Sequence, residues 1–201
     1  MAKYLWISIY LITLIWSGIN PKVPLIWFLE ALPAILGGLL LALTYKSFPL
    51  TPLLYGLILL HCIVLMIGSH YTYAEVPFFD GLMGSERNNY DKVGHFFQGF
   101  VPAILAREIL LRNQVVNGRY WLIVFIVSVC LAFSAFYELI EWWVALLSEQ
   151  GAAAFLGTQG YVWDTQSDMA WALVGAFSAL LCLSAWHDKQ LRKLSGRLQL
   201  N

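Results

Sequence analysis

Six times along the chain a long apolar run gives way to a polar break. The runs cover roughly residues 4–19, 25–45, 53–73, 92–112, 120–147 and 166–186, most of them near the about 20 residues a helix needs to cross a bilayer. Two of the breaks are short and rich in turn formers, Asn20-Pro21-Lys22-Val23-Pro24 and Ser47-Phe48-Pro49-Leu50-Thr51-Pro52. Two are longer, residues 74–90 and 148–164, and read as ordered loops with Pro77, Gly81, Gly84, Gly157 and Gly160 as turn signals. The pattern predicts an all-α polytopic membrane bundle of about six transmembrane helices in a single domain, 1–201. The first run has no small-residue cleavage pattern before Asn20, which predicts a retained helix rather than a signal peptide.

Inside the runs, Gly37-Gly38 and the Gly175/Ala179 pair are expected where neighbouring helices approach closely, and Pro102 is expected to kink the fourth helix. Composition agrees with membrane residence. The chain is 60% hydrophobic and 12% charged, with a mean hydropathy of +0.68, outside the range of soluble domains. Its zero net charge argues against a nucleic-acid partner; membrane lipids are the expected surroundings. Cys62, Cys130 and Cys182 fall in three different runs without a C-x-x-C spacing and read as packing residues.

Orientation follows from the basic residues. With the N-terminus in the cytoplasm, Lys3, Lys46, Arg107, Arg112, Arg119, Lys189, Arg192, Lys193 and Arg197 lie inside, and Lys22, Arg87 and Lys92 lie outside, which accounts for all 12 Lys and Arg. Both termini are therefore expected in the cytoplasm of a bacterial inner-membrane protein, with the 74–90 and 148–164 loops on the outer face.

Within that frame the polar residues at membrane depth gather in one leaflet. Glu138 and Glu141 sit three residues apart on one face of the fifth run, about 15 Å and 10 Å below its outer end at 1.5 Å per residue. Keeping a charge there costs about 2.5–3.5 kcal/mol unless something compensates it. Asp91 and His95 open the fourth run at i,i+4, with Gln98 one turn deeper, and Asp164 and Asp168 open the sixth in the same way. His70 and Glu30 lie near the outer ends of the third and second runs. Imidazole and carboxylate ligands on facing helices suit a divalent metal such as zinc, manganese or iron. Crowded carboxylates also repel one another's ionisation, which sets a general acid beside a general base.

The expected site accordingly has His95, Asp91 and Glu141 as metal ligands, Glu138 and Asp168 as catalytic groups, and His70, Gln98, Asp164 and Arg87 in support. Arg87 and Lys92 suit either neutralising the acids or meeting an anionic headgroup. Plainer readings stand beside this one: Asp91, Asp164 and Asp168 as acids favoured at helix N-termini, and Glu138 as a hydrogen-bonded structural group. His61 reads as a satisfied packing histidine, and Glu108 with Arg112 as an ordinary helix-surface pair.

His70-Tyr71-Thr72-Tyr73, Asn89 through Phe96, Tyr137-Glu138-Leu139-Ile140-Glu141-Trp142 and Gly157-Thr158-Gln159-Gly160 through Met169 resemble the YjdF family of bacterial inner-membrane proteins over essentially the full length. That resemblance implies a location and no activity. A looser resemblance, to VanZ-like membrane proteins, covers three helices through Asp91 to His95, Glu138, and Asp168 followed by Gly175. VanZ-like chains tend to have Gln where Glu141 stands and Asn where Ala172 stands. Three functional classes fit the residues: a membrane-embedded, metal-assisted enzyme acting on a lipid or cell-envelope substrate, a small-solute or proton-coupled transporter, and a non-catalytic membrane scaffold.

Overall fold

A computed structural model describes residues 2–80, 88–147 and 162–198. Among these residues all regular structure is helical: α1 (Ala2–Gly18), α2 (Pro24–Thr44), α3 (Pro52–His70), α4 (Tyr90–Arg112), α5 (Arg119–Leu147) and α6 (Asp164–Leu198). Pro24 and Pro52 open α2 and α3 at positions where their missing N–H groups and fixed φ cost nothing. The Thr51 side chain also caps α3 by accepting from the Leu54 N–H.

Four helices, α2, α3, α5 and α6, are long and apolar enough to cross a membrane. Of the other two, α1 is shorter at 17 residues, and α4 carries Asp91, Lys92, His95, Gln98, Arg107, Glu108 and Arg112. Its place in the bundle explains how α4 tolerates them. It packs against α3, α5 and α6, and its closest partner is α6, so protein rather than lipid surrounds most of its polar side chains. By contrast α1, α2 and α5 present rows of exposed apolar side chains, among them Ile12, Leu36, Leu40, Leu43, Phe133 and Leu146.

The α4–α6 contact is as close as backbones allow. A Cβ on Gly99 would run into the Ala172 carbonyl, and one on Gly175 into the Phe96 carbonyl. Ala172, Ala176 and Ala179 are fully buried along the same stripe of α6, so the predicted Gly175/Ala179 contact is made. The Gly37-Gly38 pair behaves differently from expectation. Gly38 receives the ring of Tyr10 from α1 rather than a backbone, and a Cβ on Gly37 would meet nothing within 4 Å. Two further expectations are corrected. The third helix ends at His70 rather than residue 73, because Thr72 and Tyr73 turn into the left-handed region at φ 57° and 55°. The sixth helix runs on to Leu198; at 35 residues it is about 50 Å long, well beyond a bilayer core of about 30 Å. Cys182, expected to pack, is exposed, whereas Cys62 and Cys130 are buried.

Candidate functional site

His95 is the centre of the polar cluster. Starting α4 at Tyr90 places Asp91 and His95 one turn apart, and the tight α4–α6 seam brings Asp168 of α6 alongside them. Glu138 reaches in from α5. The His95 Nε2 atom lies 3.5 Å from Asp91 Oδ1, 3.7 Å from Glu138 Oε1 and 4.0 Å from Asp168 Oδ2. On its other side, Nδ1 meets Gln98 Oε1 at 2.8 Å. With Nδ1 engaged by Gln98, Nε2 is the ring nitrogen that faces the three carboxylates.

Those three separations exceed hydrogen-bond length, about 2.7–3.2 Å. They match the spacing of ligands that share one ion, since two atoms each about 2.0–2.2 Å from a metal stand at most about 4.4 Å apart. One ligand atom each from Asp91, His95 and Asp168 lie within 4.8 Å of one another, so a small side-chain rotation closes the trio around a cation. Glu138 Oε1 and Asp168 Oδ1 are buried without a hydrogen-bond partner, on residues that are 8% and 4% exposed. Buried oxygens left open in this way are costly unless a ligand, ion or water meets them.

The cluster lines a cavity of about 540 Å³ between α2, α3, α4, α5 and α6, a size typical of small-molecule sites. Glu141 and Asp164 line it too, but Glu141 stands outside the trio that can share an ion, and Asp168, expected as a base, stands inside it. Glu30 lies outside the site that the sequence pattern suggests. It is buried on the cavity wall with Oε2 unpartnered, and an acid inside an otherwise apolar run is the signal that marks it.

His70 does not join the site. Its Nδ1 is 2.9 Å from the Ser17 carbonyl and its ring stacks on Trp16 of α1, because the rotation of α3 turns it away from α4. Arg87 lies outside the described residues. His61 corrects its reading as a satisfied histidine: Nε2 is buried without a partner, and the ring lines the cavity.

Tyr73 closes the cavity from the loop side. Its ring occupies the space that side chains at Gly68 and Gly94 would need, and it lines the cavity with Thr72 and Ala74. Two successive residues other than glycine at positive φ hold it there, a strained arrangement of the kind found at functional sites. Burial, then the neighbouring Tyr137 phenol, push its hydroxyl well above the ordinary phenolic value, so it is neutral and able to donate.

A second polar cluster lies at the opposite end of α4, where the spacing of Glu108 and Arg112 alone suggests a surface pair. Glu108 is instead fully buried. Its carboxylate accepts from the Thr51 N–H and hydroxyl, from Arg112 Nη1 at 3.0 Å and from His187 Nε2 at 2.9 Å. Arg107 joins through His187 Nδ1 and Asp188. His187 escaped the sequence reading because the apolar run ends at Trp186. The register that buries Ala172, Ala176 and Ala179 continues through Leu183 to His187, and that spacing is the signal for it. This knot is hydrogen-bonded throughout and lines no part of the cavity.

The fold and the cavity define an all-helical membrane protein with a buried histidine–carboxylate centre. The chain belongs to the family described as "Predicted membrane protein (DUF2238)", which matches residues 2–189. It is 52% identical over 183 residues to the inner membrane protein YjdF of Escherichia coli (strain K12), covering 90% of this chain and 88% of that one. No solved structure matches it.

Proposed function

We propose that this chain is a membrane-embedded, metal-assisted enzyme of the bacterial inner membrane, with its site opening toward the outer leaflet. The observation that carries the reading is the His95 Nε2 atom facing three carboxylates at 3.5–4.0 Å, beside buried oxygens that lack partners. His95, Asp91 and Asp168 would hold a divalent cation, with Gln98 behind the imidazole at Nδ1. Such an ion supplies Lewis acidity and a more acidic bound water. Glu138, beside the trio, would serve as the general base, and Glu141 and Asp164 complete the acidic wall. The basic-residue count and the relative's name support the orientation and the membrane: both termini lie in the cytoplasm.

The test is metal content. Protein purified in detergent and equilibrated with Mn²⁺ or Zn²⁺ should retain about one ion per chain by elemental mass spectrometry. His95→Ala should fall to background, and Glu138→Gln should keep its metal. Background metal in the wild-type chain overturns the reading. Transport is the competing possibility; pH-dependent flux in proteoliposomes, abolished by Glu138→Gln, would decide for it.

A further inference from the structure

The cavity changes polarity along its length. Counting at 1.5 Å per residue, Glu30 is about 9 Å along α2 from Pro24, whereas Gly37 and Leu40 are about 20 and 24 Å along it. On α5, which runs the opposite way, Glu141 is about 9 Å from Leu147 and Phe133 about 21 Å. The shallow end is thus the acidic centre. The deep end is walled by Leu36, Leu40, Leu105 and Phe133, and His61 is its polar exception among the described residues. Several of these wall residues also face outward: Leu36 is 48% exposed, Leu40 60%, Phe133 59% and Phe136 52%. The cavity is therefore continuous with the lipid-facing surface between α2 and α5. Gly37 stands at that opening, where a Cβ would meet open space.

A polar end about 10 Å inside the helix ends and an apolar end near the midplane reproduce the profile of one lipid in one leaflet. We propose that the cavity holds a zwitterionic membrane phospholipid, admitted sideways between α2 and α5. Its headgroup lies at the His95–carboxylate end, and one acyl chain runs past Gly37, Leu40 and Phe133. Charge supports this choice of head. Glu30, Asp91, Glu138, Glu141, Asp164 and Asp168 outnumber the single imidazole at that end, which suits an ammonium group and disfavours an anionic head lacking one. The proposal deepens the enzymatic reading by naming the substrate class, and rests on it for the role of the polar end.

Photo-crosslinking tests it. The full chain is placed in vesicles of phosphatidylethanolamine carrying a diazirine on one acyl chain, and labelled peptides are mapped after illumination. Labels should concentrate severalfold on residues 36–40 and 133–137 relative to the exposed face of α1 at Ile12 and Ile15. Gly37→Trp should remove that excess while leaving Mn²⁺ uptake intact, which also shows that the variant folds. His61→Leu, which leaves the channel apolar, should keep the excess. Equal labelling of α1, α2 and α5, unchanged by Gly37→Trp, overturns the proposal. Metal uptake without cavity labelling sinks the lipid site alone. Cavity labelling without metal uptake supports the lipid site and sinks the metal reading.

Discussion

Gln98 and Glu108 lie on the same helix and show how differently a buried polar residue can be used. Gln98 orients a ring whose other nitrogen faces three carboxylates, so its removal should spare the fold and loosen the site. Gln98→Ala is expected to weaken Mn²⁺ binding about 10–100-fold, the usual effect of losing a partner behind a ligand, measured by titration on purified protein; unchanged affinity would mean that the amide does not set the imidazole. Glu108 faces donors on every side. Glu108→Ala strands Arg112 and His187 and is expected to cost about 3–5 kcal/mol, the range for breaking a buried ion pair. Unfolding of the variant in mixed micelles checks it, and a loss below about 1 kcal/mol would restore the surface-pair reading.

At the scale of helices, the α4–α6 seam builds the site, since it brings Asp168 beside His95. The backbone contacts at Gly99 and Gly175 leave no side chain to move aside. Gly99→Val and Gly175→Val are each expected to cost more than the about 1–3 kcal/mol of ordinary overpacking and to abolish metal uptake by spreading the trio. Gly56→Ala supplies the contrast: a Cβ there meets nothing within 4 Å, and the helix gains up to about 1 kcal/mol from replacing glycine. Thermal unfolding of the three variants separates close packing from a general intolerance of substitution.

For the whole molecule the arrangement to test is topology. Basic residues concentrated at one set of helix ends predict that a fluorescent reporter fused after Gly196 lights up in the cytoplasm. Alkaline phosphatase fused after Asp80 should be active on the opposite side. The reverse pattern would put the acidic centre in the inner leaflet and reassign the lipid it faces. Here Arg107 contributes through buried bonds to His187 and Asp188 rather than as a free loop charge, yet it remains at the same end of α4.

Apolar patterning locates the helices and gives each polar residue its depth within its own helix. Apolar runs, Pro24 and Pro52 mark where helices start, and a fixed rise per residue converts position into depth. That was enough to bring Asp91, His95, Gln98, Glu138, Glu141, Asp164 and Asp168 to one end of the bundle. Tertiary structure alone decided which of them face each other, because depth says nothing about the rotation of one helix against the next. His70 has the right depth and the wrong direction, held by Ser17 and Trp16. Glu30 and His61 turn inward, and Glu108 disappears into a knot that its spacing to Arg112 does not reveal. The rotation is set where helices touch, at Gly99 and Gly175, and contacts made across the bundle are not written in the periodicity of any one helix.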